Sequence, residues 1–222
     1  MRKEHIQRRG GLIAAAVAAS LGTLVPVSTE ARDFDLASGR VTGSWDTTLS
    51  YGQAWRIADP DCNLIATADG GCGRSPNIDD GNLNYQAGIF SRALKLVSEM
   101  SLEAGNFGAF VRGSALYDVE TEEEETDRTP LPESSKDLVA KYARLLDAFA
   151  YARFNLGRMP SELRLGRQVL SWGESTFIQG GLNAINHFDV SALRVPGSEL
   201  KEAFLPQEMG VFNLQFNQNF ST

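Results

Sequence analysis

The sequence has 222 residues, of which 42% are hydrophobic and 22% charged, and a formal net charge of −7. That is enough chain for one ordinary domain. The acidic balance excludes the strongly basic class of nucleic-acid-binding proteins, so no nucleic-acid partner is expected. Beyond the first thirty residues, no apolar stretch reaches the roughly 20 residues that a membrane-spanning helix needs. Two classes of protein remain. One is an acidic soluble domain, and the other is a β-barrel, whose membrane-spanning segments are too short to form a long apolar stretch.

Residues 1–31 have the pattern of a secretory signal peptide. A positively charged start ends at Arg9, and an uninterrupted run of small and apolar residues extends from Gly10 to Val25. Small and polar residues then lead to a predicted cleavage site after Ala31. Cleavage there removes four positive and two negative charges, so the mature chain changes from −7 to −9. An uncleaved anchor is the alternative, but the apolar run is short and lacks a stop-transfer flank.

Export places both cysteines in an oxidising compartment. Cys62 and Cys72 lie ten positions apart in a stretch rich in Gly, Asp and Asn. This spacing predicts a local disulfide, and by chain entropy the closed loop contributes about 2–3 kcal/mol. A metal site here lacks ligands, because His187 is the only histidine of the mature chain. The sequence predicts no metal and no cofactor.

The segment 41–57 alternates between two kinds of side chain. Its odd positions are mainly apolar or aromatic, and include Trp45, Tyr51 and Trp55, whereas its even positions are mainly polar. A period of two is typical of a β-strand with two unlike faces. Seventeen residues are about three times the usual length of a soluble strand, but suit a tilted transmembrane strand that extends beyond the bilayer. The three aromatic residues are predicted to form an interfacial girdle.

Further alternating runs follow along the chain. They cover residues 94–104, 107–119, 148–156, 163–169 and 212–216. Gly105-Asn106 and Gly157-Arg158-Met159-Pro160 are turn signals that join two pairs of these runs into hairpins. The longer connections are a Gly/Asp/Asn-rich segment at 58–88, an acidic run at 120–129 and a segment with helical spacing at 132–145. The acidic run is interpreted as a hydrated loop, and the helical segment as a plug or a cap of the barrel mouth.

Short turns that alternate with long connections are typical of outer-membrane barrels. The predicted fold is therefore all-β: an antiparallel transmembrane β-barrel with long loops and one short helix. A secreted β-sandwich also alternates, but the length of the first strand and the unequal connections favour the barrel. About six strands are counted, whereas single-chain barrels start at eight. Residues 32–222 are thus expected to be the N-terminal part of a longer barrel, or the product of a truncated reading frame.

Five segments carry a resemblance to a known family. They are Val41–Tyr51, Asp79–Tyr85, Gly105–Ser114, Arg164–Ser175 and Leu193–Lys201. These segments resemble a family of proteobacterial outer-membrane proteins of unknown function, DUF1302. The resemblance covers nearly all of the mature chain and implies an outer-membrane barrel of several hundred residues. Because members occur beside genes for degrading steroids, polyesters and other hydrophobic compounds, it also implies passage of such molecules.

Charged residues on the polar faces of the runs are candidates for the lumen of the barrel. They are Arg112, Arg153, Arg164, Asp46, Glu99, Asp118 and Asp147. Opposed charges along a pore set its selectivity for ions and solutes. A wall of mutually satisfied salt bridges that fills a narrow interior is an equally favoured interpretation. Arg167 falls on the apolar face of its run. We therefore expect that it lies near a strand end, or that its long side chain extends to bring the charge into water.

Catalytic and calcium-binding interpretations are weaker. Gly173-Glu174-Ser175 resembles a nucleophile elbow without its second glycine, and a barrel-embedded hydrolase has only His187 as a base. Residues 172–189 either fold inward as a constriction or ligand loop, or form a structural Ω-loop. Asp59-Pro-Asp-Cys-Asn63 begins like a calcium loop, but Leu64 stands where the required glycine belongs.

The leading interpretation is a porin-like channel or uptake protein for small solutes, hydrophobic ones included, without enzymatic activity. The alternative is a non-transporting barrel that anchors or docks a periplasmic lipid-handling partner; a barrel-embedded hydrolase is a minor third possibility. The predicted location is the outer membrane of a Gram-negative cell. Outer-membrane lipid and, during biogenesis, the barrel-assembly machinery are the predicted partners.

Overall fold

A computed structural model describes residues 32–74, 80–170, 185–217 and 220. The strands are β1 Arg32–Leu36, β2 Val41–Arg56, β3 Gly88–Ala104, β4 Phe107–Asp118, β5 Lys141–Leu156, β6 Met159–Gln168, β7 His187–Phe188, β8 Phe204–Leu205 and β9 Gln207–Leu214. The α-helices are α1 Asp80–Leu83, α2 Val119–Glu123, α3 Glu133–Val139 and α4 Leu200–Ala203. Single 3-10 turns lie at Cys62–Leu64, Thr67–Asp69 and Ala192–Arg194. The predicted signal peptide and Ser175 lie outside the described residues.

Seven strands form one antiparallel sheet in the order β1-β2-β3-β4-β5-β6-β9, and β7 pairs with β8 in a separate ribbon. The prediction of a mainly antiparallel β fold is therefore confirmed. The sheet contains one strand more than the sequence predicted, because β1 has only five residues and too few alternations for a recognisable period. No helix in the described parts of the chain is long and apolar enough to cross a membrane.

The two ends of the sheet have unequal connections. Three tight turns, at 37–40, 105–106 and 157–158, join β1 to β2, β3 to β4 and β5 to β6. Gly105 and Gly157 have φ angles of 60° and 66°, in the left-handed region that glycine adopts without steric cost. The three long connections lie at the opposite end. We call these ends the turn end and the loop end.

The two faces of the sheet differ in the side chains that they expose and bury. On one face, large apolar side chains such as Trp45, Tyr51 and Trp55 are exposed, Tyr51 to 62%. On the other, the polar Lys95 and Gln168 are buried, with 3% and 1% exposed, together with the apolar Val97 and Leu116, each 4% exposed. We call these the apolar face and the covered face. The three aromatic residues lie on the apolar face, and their position at a membrane interface stays a prediction.

The cysteine loop is compact and local. Cys62 and Cys72 form the predicted disulfide, which is thereby confirmed. The Cys72 amide donates to the Cys62 carbonyl at 2.8 Å, and the Gly73 amide donates to that of Ile65 at 2.7 Å. The loop therefore closes on its own backbone as well as through the sulfur bridge.

Two connections differ from the sequence prediction. The helix expected over 132–145 ends at Val139, and β5 begins at Lys141, because Tyr142 and Leu145 pair with β4. The acidic run, expected as a hydrated loop, begins with helix α2. There Glu120 pairs with Arg92 at 2.6 Å. Four short helices therefore stand in the described residues, where one was predicted.

Candidate functional site

Residues 185–205, which we call the covering segment, lie against the covered face. Lys95 Nζ in β3 donates to Glu202 Oε1 and to the Gly197 carbonyl, each at 2.7 Å. At the start of the segment, Asn186 Oδ1 accepts from the Leu170 amide at 2.9 Å, and Asn186 Nδ2 donates to the Leu205 carbonyl at 3.2 Å. The part of the predicted 172–189 segment that the structure describes therefore turns towards the sheet.

The covering segment approaches the sheet most closely at Gly52. A Cβ on Gly52 meets the Cβ of Pro196 and lies 2.6 Å from the Pro196 carbonyl oxygen. Backbone atoms cannot approach that closely to any side chain, so only glycine allows this contact. The sequence placed Gly52 on the polar face but contained no sign of its partner, 144 positions further along the chain.

Gly52→Ala is expected to push the covering segment away from the sheet and to destabilise the protein by about 1–3 kcal/mol, because the new methyl group meets backbone atoms. Trypsin cleavage at Arg194 and Lys201 should accelerate. The matched control is Gly81→Ala, because a Cβ at Gly81 meets no atom within 4 Å. Equal cleavage rates in the two variants contradict the close contact.

Lys95 and Glu202 form a buried ion pair. Their side chains are only 3% and 4% exposed. Glu202 Oε1 also accepts from the Glu199 amide at 3.0 Å, which completes a capping box for α4. A buried charge is costly unless it is paired and hydrogen-bonded, so these contacts tie the conformation of α4 to the ammonium group of β3.

A chain of charges continues from this pair across the covered face. Glu99 pairs with Lys201 at 2.9 Å and with Arg112 at 3.6 Å. Arg112 also binds Asp147, with Nε to Oδ2 at 2.8 Å. The pairing of β4 with β5 shifts register between Val111 and Gly113, and such a bulge re-aims side chains. Glu99 and Asp147 therefore both pair with Arg112, and Lys201 supplies a second positive charge. Their position in the lumen of a barrel stays a prediction.

Two other candidates have different surroundings. Asp118 caps α2 by accepting from the Glu120 and Thr121 amides, and it accepts a further hydrogen bond from Ser91. It therefore has a structural role at the loop end. Asp46 lies opposite Glu99 in the β2–β3 register, and its buried Oδ1 has no hydrogen-bond partner among the described residues.

Arg153 and Arg164 belong to a separate cluster near the turn end. Both reach Glu162, Arg153 from Nε and Arg164 from a terminal nitrogen, each at 3.1 Å. Tyr151 donates to Glu103 Oε1 at 2.8 Å in the same cluster. The Arg153 side chain is 56% exposed, so water screens its ion pairs strongly.

Sequence reasoning missed the residues that hold the covering segment. Lys95 stood on the predicted polar side of its run without being singled out. Glu202 and Lys201 follow no period, so no pattern marked them. Arg144, which pairs with Asp189 at 2.9 Å, was hidden because β5 was expected to begin at residue 148.

The described residues contain no group of three or more His, Cys, Asp or Glu side chains suited to hold a metal ion. His187 lies in β7, where its Nδ1 contacts Gln207 Nε2.

The family comparison covers nearly the whole chain: the family described as "Protein of unknown function (DUF1302)" matches residues 11–222. The chain belongs to this family. This match confirms the predicted resemblance to DUF1302. No curated protein and no solved structure matches the chain.

Two titrating groups of this DUF1302 protein anchor its covering segment. Burial opposes the charge of Asp189, but hydrogen bonds from Ser191 and Arg144 outweigh it and lower the pKa of Asp189 below its ordinary 3.8. Burial likewise opposes the charge of Lys201. Its bonds to Glu99 and Glu199 outweigh that effect and raise the pKa of Lys201 above 10.5.

These shifts predict a stability plateau with two flanks. Asp189 contributes fully to the free energy of unfolding above its ordinary pKa, and this contribution is lost as the pH falls through its lowered pKa in the folded protein. Lys201 contributes fully below its ordinary pKa of 10.5, and this contribution is lost as the pH rises through its raised pKa in the folded protein. Urea midpoints of unfolding should fall at both extremes. Asp189→Asn should weaken the acid flank and leave the alkaline flank; an unchanged acid flank contradicts the role of Asp189.

Proposed function

We propose that this DUF1302 chain forms part of the wall of an outer-membrane β-barrel. In this proposal the barrel admits small solutes, hydrophobic ones included, without covalent catalysis. The exposed apolar face of the sheet carries the proposal. Monomeric soluble proteins rarely expose continuous apolar patches larger than a few hundred Å², whereas a barrel in lipid turns its apolar side chains outward and its polar side chains inward.

The register supports a continuous apolar surface. Trp45 lies opposite Met100, and Leu49 lies opposite Leu96. Directly opposite residues share a face, so these side chains form rows across neighbouring strands. A β-sandwich needs a second sheet over such a surface. In the described residues, the only other sheet is the β7–β8 ribbon, which belongs to the covering segment on the opposite face.

Strand length and the sheet edges support the same proposal. β2, β3 and β5 have 16, 17 and 16 residues, beyond the 9–11 that a tilted strand needs to span a bilayer. β1 and β9 are the outer strands of the sheet. In lipid an unpaired strand edge costs several kcal/mol per backbone group. The inserted form therefore requires that β1 and β9 pair with each other or with further strands.

The decisive experiment is single-channel conductance of the purified protein in planar bilayers. Discrete conductance steps support the channel. Stable insertion without conductance favours the alternative, a barrel that docks a periplasmic partner. The observation that supports this alternative is the position of the covering segment on the covered face. Folding as a monomer in detergent-free buffer contradicts both.

A reversible crosslink tests whether the covering segment controls passage. A Cβ on Gly197 lies 3.9 Å from Ser50 Cβ, within the range of disulfide geometry. Gly197 has a φ of 77°, where a cysteine is strained, so the reduced Ser50→Cys/Gly197→Cys variant is the baseline. Oxidation is expected to hold the segment against the sheet and to reduce conductance relative to that baseline, and reduction should restore it. Unmodified protein treated with the same reductant is the control for the native disulfide. If oxidation and reduction leave the conductance unchanged, the covering segment does not control passage through the barrel.

A further inference from the structure

A cavity of about 520 Å³ lies at the loop end of the sheet. It is bounded by the connections that follow β2 and β4, by the start of β3 and by the covering segment. Its apolar wall consists of Tyr85, Phe90, Leu131, Val139 and Val195. The size falls within the 300–1,000 Å³ typical of small-molecule sites, which combine an apolar wall with a few placed polar groups.

Positively charged side chains outnumber negatively charged ones in the described lining of this cavity. Arg56 and Arg194 line it, and within the described residues neither forms an ion pair. Among the described lining residues Asp118 is the one carboxylate, and its charge is compensated by Ser91 and by the amides of Arg92 and Glu120. In a chain with a net charge of −7, the described lining therefore has an excess of one positive charge.

The two arginines are not equivalent. The guanidinium of Arg56 donates to the backbone carbonyls of Ala58, Asn82 and Tyr85, so its donors are occupied. Arg194 is exposed, and no hydrogen bond engages its guanidinium among the described residues. A free guanidinium offers parallel N–H donors that match a carboxylate. One free cation suits a monoanion better than a phosphate dianion, which needs more positive charge.

The aromatic part of the wall suits a flat or compact apolar body. Tyr85 and Phe90 meet edge to face, with ring centroids 6.4 Å apart. Within the described residues the Tyr85 hydroxyl has no hydrogen-bond partner, so it remains available to a ligand. Apolar surface and one anionic contact thus lie within the same cavity.

We propose that this cavity binds a small apolar molecule that carries one carboxylate group. Arg194 pairs with the carboxylate, and the aromatic and aliphatic side chains enclose the apolar body. Binding here does not require a pore, so this inference goes beyond the proposed channel and stands or falls separately from conductance.

The test is equilibrium binding of 2-naphthoate to the purified mature protein in the medium in which it is folded. Its uncharged counterpart, 2-naphthalenemethanol, is the matched probe. The carboxylate should bind saturably and about tenfold more tightly than the alcohol, because a charged hydrogen bond is lost in the latter. Arg194→Gln should remove most of that difference and leave alcohol binding within about twofold.

Two further variants separate the parts of the site. Arg158→Gln makes the same charge change at an exposed position of the turn end and should leave both affinities unchanged. Phe90→Ala should weaken both probes alike. The proposal is overturned by the absence of saturable binding, by equal affinity for the two probes, or by an equal effect of Arg194→Gln and Arg158→Gln.

Discussion

Leu96→Arg is expected to destabilise the membrane-inserted protein by about 2–4 kcal/mol, the cost of an arginine at the lipid-facing midplane of a barrel. Leu96 is the ninth residue of the 17-residue strand β3 and lies on the apolar face with 39% of its surface exposed. In a water-soluble protein, an exposed leucine tolerates arginine within about 0.5 kcal/mol. The same substitution therefore has different outcomes in the two settings.

The measurement is urea unfolding in lipid vesicles. Leu64→Arg is the matched control, because Leu64 is 62% exposed but lies in the cysteine loop, outside the strands of the sheet. Its effect should be near zero. If both leucines tolerate arginine equally, the apolar face does not contact lipid and the barrel proposal fails.

Lys95→Met is expected to cost about 3–5 kcal/mol, because it leaves the carboxylate of Glu202 buried without its partner. The same loss should release the covering segment, since Lys95 also holds the Gly197 carbonyl. Both effects are measurable, the first as a lower urea midpoint and the second as faster trypsin cleavage at Lys201.

The double variant Lys95→Met/Glu202→Gln separates charge burial from packing. Replacing both partners of a buried pair is often close to neutral, and Gln keeps an acceptor for the Glu199 amide. The double variant should recover most of the loss. Arg153→Met is the control for an exposed pair and should leave the urea midpoint nearly unchanged, because water screens that pair. If the loss in the double variant equals the sum of the losses in Lys95→Met and in Glu202→Gln alone, the two charges are not directly coupled.

Much of the sheet was predictable because the relevant physics is local. A period of two places Trp45, Leu49 and Tyr51 on one face whatever the rest of the chain does. Gly105 and Gly157 mark tight turns because the left-handed conformation there suits glycine. The cysteine pair is close in sequence, so its closure requires little loop entropy. These features follow from neighbours a few positions apart.

The prediction was less accurate where two local tendencies compete. Helical spacing extended to Leu145, but pairing with β4 turned residues from Lys141 onward into a strand. A strand that completes a sheet satisfies backbone groups along its whole length, and tertiary contacts of this kind override local propensity. The short β1 was missed for the opposite reason, because it depends almost entirely on pairing with β2.

The candidate site was predictable only in part. Glu99 and Arg112 were placed on one face because they lie on adjacent strands of a predicted hairpin, and they pair there. Asp147 meets Arg112 where the register shifts, and no pattern predicts such a bulge. The partners of Lys95 lie 102 and 107 positions away. They belong to a connection without periodicity, so the sequence contains no sign of that contact.

By itself the sequence determined the two faces of each long strand, the tight turns, the disulfide and the family. Each of these depends on the spacing of nearby residues. Only the tertiary structure decided that the polar face is covered by residues 185–205, and that a cavity opens beside Arg194. The physical reason is that these features arise from groups distant along the chain, brought together by the register of the sheet and by the burial of Lys95 against Glu202.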